Sequence, residues 1–373
     1  MKAAVGVCLV ALAWGTVRAE ELFVDEGETR KLATDSAYDG GSVKGTLVLS
    51  GGMTLTLANN VFEAGSKLIL NGATLAGFAG AYDVTLPCAI EVTEGTENVL
   101  DNCADLGGEY TAGGCNVTVT GPITGAGRVL FRSVGRGIRV IGDAGEFEGT
   151  LAFDMTGGFF SGRLESDQLS KATVEVVGGL FPFNRTNAHY GSLIVRPGAT
   201  FRCDRGWNDS NNLNLYGDSV LGGVFEGNEL DVNVRAEAAV TVDAVIARMN
   251  LFTDAALAGK GTIGRLDYGE RTVYVSNGAN DVLTVGQHVG GTSVWHEDGE
   301  WLETKCGRIV IDGLAEGCAG NDVLVLGDAA TDEHLSVTLS DGLRQDGWKL
   351  RVRTEGDLAC YSIARPGLMV IIR

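Results

Sequence analysis

The segment Trp295-His296-Glu297-Asp298-Gly299-Glu300-Trp301 sets two tryptophans on either side of an acidic turn. Exposed indoles so placed could stack on sugar rings, although such a pair more often flanks a hairpin and packs on the body of the fold. Trp207 poses the same choice within Asp204 to Asn214, an asparagine-rich stretch read as an outward loop. Trp207, Trp295 and Trp301 are therefore the candidate ligand contacts.

Catalysis on a polysaccharide would need paired carboxylates on adjacent strands, or calcium-binding acids with a basic residue as proton acceptor. Asp322 with Asp328, and Arg196 before Pro197, are nominal parts of such a set. No Asp-Asp pair, Gly-His-Gly or Asn-Thr-Asp occurs, so no catalytic residue is assigned and the chain is expected not to be an enzyme. Two segments resemble one another, Gly278 to Gly286 (GANDVLTVG) and Ala319 to Gly327 (AGNDVLVLG). Each looks like half of a calcium-binding nonapeptide turn. Neither carries the successive Gly-Gly-x-Gly-x-Asp copies that enclose the ion, so both are read as Asn-Asp turns entering strands. No cofactor or metal is expected.

Eight cysteines include Cys8 near the start. Cys103/Cys115 and Cys306/Cys318 each lie twelve apart, a separation at which an oxidised bridge between neighbouring strands could form in an exported chain. Zinc is the competing reading, but there is no Cys-x-x-Cys and no histidine at ligand spacing from a cysteine.

Export is read from the first residues. Lys2 supplies a positive start, Ala3 to Val17 an apolar core, and Val17-Arg18-Ala19 the small residues before a cleavage site, which predicts a signal peptide over 1–19 and a mature start at Glu20. The apolar run is shorter than the roughly 20 residues that span a bilayer, and no later stretch reads as a membrane helix. Losing Lys2 and Arg18 leaves 27 basic against 48 acidic residues, a balance of −21. Such a surface repels phosphate backbones, so nucleic acid is not an expected partner, whereas extracellular glycans or cell-surface components are. The expected location is secreted or at the cell surface. Sequons at Asn116, Asn184 and Asn208 are read as chance in a chain rich in Asn and Thr.

The elements that must position these residues are short strands. Fifty-five glycines among 373 residues is about twice the usual share near 7%, while only 21% of residues are charged and 45% are hydrophobic. That composition fits many strands joined by tight turns. Strands are predicted at 46–49, 53–57 and 67–70, with Gly51-Gly52, Asn59-Asn60 and Asn71-Gly72 as turns. In the stretch from Asn116 to Leu164 the inward candidates are Val117, Val119, Val129, Phe131, Ile138, Val140, Leu151 and Phe153. Val117 to Ile138 is 21 residues, Val129 to Leu151 is 22, and the steps on through Val174, Leu193, Leu213 and Val232 are 23, 19, 20 and 19. That constancy predicts a coil of two strands per turn closing in about twenty residues. Ala236 to Asn250 is the only candidate helix, and its β-branched residues favour strand.

Gly121-Pro122-Ile123-Thr124-Gly125-Ala126-Gly127-Arg128-Val129, followed by Ile141-Gly142-Asp143, Phe147-Glu148-Gly149-Thr150-Leu151 and Gly157-Gly158, resembles the autotransporter-associated β-strand repeat. The resemblance covers about residues 116 to 164, with echoes in Gly45 to Leu75 and Asp281 to Gly290. It implies an all-β, right-handed parallel β-helix of the passenger kind, exported from a bacterium and displayed at or released from its surface. The family's outer-membrane barrel of roughly ten-residue strands has no counterpart here, which points to a secreted protein built of the same repeats. The expected organisation is a signal at 1–19, an N-terminal cap at 20–44, a β-helix at 45–252, and further coils or a C-terminal β cap at 253–373. The expected role is adhesion, surface display or matrix structure; the alternative is a polysaccharide lyase, hydrolase or glycan-binding module.

Overall fold

The computed structural model describes residues 20–77, 83–102, 116–134, 137–157, 163–164, 168–183, 187–203, 211–227, 230–277, 280–295, 301–305, 307–312, 320–327 and 336–365. The expected signal segment lies outside the described residues.

The chain winds into a parallel β-solenoid. Its spine is one uninterrupted parallel ladder, the first side. It runs from Glu20–Val24 through Ser36–Val43, Thr54–Leu57, Thr74–Gly77, Glu97–Asp101, Arg128–Val134 and Thr150–Gly157. It continues through residues 173–176 and 192–195, then Ser219–Leu221, Ala239–Val242, Ala255–Ala258, Thr272–Val275, Arg308–Ile311 and Ser336–Leu339.

Between strands of this spine the chain visits two more sides. The second side follows the first in each turn and holds Asp83–Leu86, Asn116–Val119, Ile138–Val140 and Arg163–Leu164, then residues 179–183, Ala199–Cys203 and Val224–Gly227. The third side precedes the first. It holds Thr29–Leu32, Thr46–Ser50, Lys67–Asn71, Ala89–Val92 and Ile123–Gly125, then residues 187–190, Asn211–Leu215, Leu230–Val234, 248–251, 265–267 and 287–289. A turn thus has three strands where spacing alone pointed to two. The reason is visible in Val245–Leu251 and Thr262–Asp267, which pass from the second side to the third without leaving the extended backbone, so one strand serves two sides.

The predicted registers Val117 to Ile138, Val129 to Leu151, Leu151 to Val174, Val174 to Leu193 and Leu213 to Val232 are Cα partners in adjacent strands. The step from Leu193 to Leu213 is not a partnership. Leu213 lies beside Ala188 on the third side, while the strand of Leu193 continues to Ser219–Leu221 on the first. Both sides alternate apolar residues, so counting residues cannot tell them apart.

One rung buries little alone; each gains backbone bonds and apolar contact from the rungs above and below. All eight inward candidates are buried, and a file of phenylalanines runs along the axis. Ring centroids are 5.2 Å apart from Phe131 to Phe153, 4.9 Å to Phe181, 5.8 Å to Phe201 and 5.6 Å to Phe225, spacings at which aromatic pairs attract. The repeat's glycines serve this stacking as much as the turns. Gly125 takes a left-handed φ of 102°. Gly121, Gly142 and Gly149 are needed for close approach: a Cβ on Gly142 would run into the carbonyl of Gly121, and one on Gly149 into that of Gly127.

Residues 239–242 and 245–251 are strands, and the short Asp341–Gln345 is the helix among the described residues. At the C-terminal end the parallel order stops. Lys349–Glu355 and Leu358–Ala364 form an antiparallel hairpin, and its second strand lies antiparallel along Asp322–Gly327, covering the last edge of the second side.

Candidate functional site

The look-alike segments around Asn280 and Asn321 are stacked on each other. Leu283, Thr284 and Val285 partner Leu324, Val325 and Leu326, the same alignment that relates the two sequences. The likeness is one of rungs, and among the described residues no group of His, Cys, Asp and Glu is arranged to hold a metal.

Trp295 and Trp301 are Cα partners in the antiparallel hairpin Thr292–Trp295/Trp301–Lys305, which interrupts the solenoid between two turns. Its two ends are fixed by one ring: Cβ atoms on Gly290 and Gly307 would each overlap the buried Tyr268. Trp207 and the candidate disulfide cysteines Cys103, Cys115, Cys306 and Cys318 lie outside the described residues. Cys88 and Cys360 are buried free thiols, and burial pushes the Cys88 thiol up to about 12.

Asp204 to Asn214 was expected to be an outward loop, and its last part is not. Asn211–Leu215 is a strand of the third side, with Asn211 and Asn214 buried. The reason is an amide column that stacks Asn214, Asn233 and Asn250 on successive rungs. Asn250 Nδ2 donates to Asn233 Oδ1 at 2.8 Å, and Asn233 Nδ2 donates to Asn212 Oδ1 at 3.0 Å. Arg235 Nε donates to Asn214 Oδ1 at 2.7 Å. The signal in the sequence was an asparagine recurring at the rung interval.

No protein-family model, curated protein or solved structure matches the chain. The site must therefore be read from its own geometry.

Beside the amide column, at the corner between the third and first sides, planar groups pile along the solenoid axis. His189 stacks on Tyr216 with centroids 5.7 Å apart, and His189 Nδ1 lies 2.8 Å from the tyrosine hydroxyl. One rung on, Arg235 lays its guanidinium 3.6 Å over the ring of Phe252. Tyr216 and Phe252 are 36% and 45% exposed, so ring surface reaches solvent at two rungs of one corner.

Two other clusters bear on catalysis. On the outer surface of the first side, the buried Glu175 accepts from Arg128 Nε and Nη2 at 3.0 and 2.8 Å and from Arg196 Nε at 2.7 Å. Burial would push this carboxyl up, but the bonds and charges of Arg128 and Arg196 together outweigh it and hold the group below its ordinary range. Such a carboxylate stays ionised and cannot serve as a general acid near neutral pH. Asp218, Glu237, Asp254 and Tyr274 line an open groove of about 380 Å³. Asp218 Oδ1 accepts the N–H of Ala239 and Asp254 Oδ1 that of Thr272, each at 2.8 Å, so both acids tie one rung to the next.

Proposed function

We propose that this chain is an exported, non-enzymatic β-solenoid of the cell surface or extracellular matrix, acting in adhesion or display through contact groups held at fixed spacing. The observation that carries this reading is the corner of Tyr216, Arg235 and Phe252 beside the asparagine column. A stacked scaffold repeats a contact about every 4.8 Å, the distance between neighbouring strands, which suits an extended polymer better than a small molecule. Export rests on the apolar leader ending at Ala19, and an extracellular partner on the acidic balance of the chain. No helix among the described residues is long and apolar enough to cross a membrane.

The second reading, a carbohydrate-active enzyme, is favoured by one feature, the acidic groove of Asp218, Glu237 and Asp254. Expression of the full chain in a bacterium with an outer membrane, followed by fractionation and N-terminal sequencing, tests the exported reading. Protein beginning at Glu20 in the medium or on the cell surface is expected. Protein retained inside the cell with Met1 intact would contradict it.

A further inference from the structure

The pile at the corner has an unfilled place. The backbone N–H groups of Tyr216, Arg235 and Phe252 donate to Tyr190, Leu215 and Val234 respectively, which sets the three side chains on successive rungs. The register ends at Asn250 with Asp267, and Gly269 stands two residues after Asp267 as Phe252 stands two residues after Asn250. Gly269 has no side chain to contribute, and a Cβ built on it would meet nothing within 4 Å among the described residues. Among the described residues, Phe252 therefore has the guanidinium of Arg235 on one face and no side chain from Gly269 on the rung beyond. The neighbourhood is polar: Asn250 and Asp267 are half-buried on the adjoining strands, and Glu270 follows Gly269. The hairpin of Trp295 and Trp301 leaves and rejoins the solenoid at Gly290 and Gly307, against Tyr268, the residue before Gly269.

We infer that this place is a sugar-binding subsite, in which a pyranose ring of a neutral polysaccharide stacks on the free face of Phe252 above Gly269. A pyranose presents one face of C–H groups to an aromatic ring and a rim of hydroxyls to its sides, and this corner offers a ring flanked by an amide and carboxylates. An aromatic ligand would gain from the ring but leave Asn250 and Asp267 unused. A polyanion would meet the carboxylate of Asp267, itself paired with Arg265 at 3.6 Å, and the net acidity of the chain. The inference rests on the adhesion reading and names the ligand class.

The test is affinity electrophoresis of the full chain through gels containing soluble β-glucan, xylan or mannan, comparing the parent with Phe252→Ala and Gly269→Asn. Gly269 has a φ of +49°, a conformation asparagine tolerates, so the second variant fills the place without removing any contact. Circular dichroism would confirm that both variants keep their fold. Retardation of the parent by at least one polysaccharide is expected, with affinity reduced about tenfold in both variants. Retardation that neither variant weakens places the sugar elsewhere and overturns the subsite while leaving adhesion standing. A parent that adheres to cells but is retarded by none of these gels overturns the subsite in the same way, and one that does neither overturns the adhesion reading itself.

Discussion

Arg128 reaches across the intervening rung of Ala152 to bond the carboxylate of Glu175, which Arg196 grips from the other side. Glu175 is 5% exposed and Arg196 lies mostly in solvent, so the triad closes one patch of the first side with its anion beneath two cations. Replacing Glu175 with Gln leaves the two guanidiniums facing each other over a neutral group. Removing one partner of a buried pair costs about 3–5 kcal/mol, and the exposure of Arg196 reduces that here to about 1–3 kcal/mol. The carboxyl is lowered from 4.5 on folding, so its contribution is complete above about pH 4.5 and disappears as pH falls through the folded value. Thermal melts should show the parent losing stability below that pH more steeply than the Gln variant; parallel profiles would remove the triad from the account.

Gly142 has no room for a side chain because the carbonyl of Gly121 occupies the space. Gly142→Ala should therefore push two rungs apart and destabilise the solenoid by about 1–3 kcal/mol, as overpacking does. Gly52→Ala makes a useful contrast, since the place of its Cβ is open and only its φ of 76° resists. Denaturant titration should rank Gly142→Ala as the more damaging; equal or reversed costs would mean that turn conformation, and not rung contact, dictates these glycines.

Cys88 is fully buried with its thiol pushed up to about 12, so it should resist alkylation in the native protein. Iodoacetamide at pH 8 followed by peptide mapping should leave Cys88 unmodified until denaturant is added. Rapid native labelling would show that the rung of Cys88 opens.

The architecture was legible in the sequence wherever one side chain type recurred at one interval, as Val117 and Ile138 or Leu151 and Val174 do. The number of sides was not, because Val245–Leu251 turns a corner inside one strand with no glycine, and only the two successive exposed residues Ala247 and Arg248 mark it. The glycines of the repeat stretch were visible as punctuation, yet the need at Gly142 comes from a carbonyl one turn away, which no local pattern encodes. The candidate corner was harder still. Tyr216, Arg235 and Phe252 share no motif, and only the register of three rungs sets them side by side.

The proposed function requires a scaffold that holds its partner without transforming it. Incubating the purified chain with a panel of polysaccharides, and recording both bound protein and newly released reducing or unsaturated ends, tests it most directly. Binding with no release above background is the expected result. Sustained release that Asp218→Asn, Glu237→Gln or Asp254→Asn abolishes would contradict it and make the acidic groove an active site.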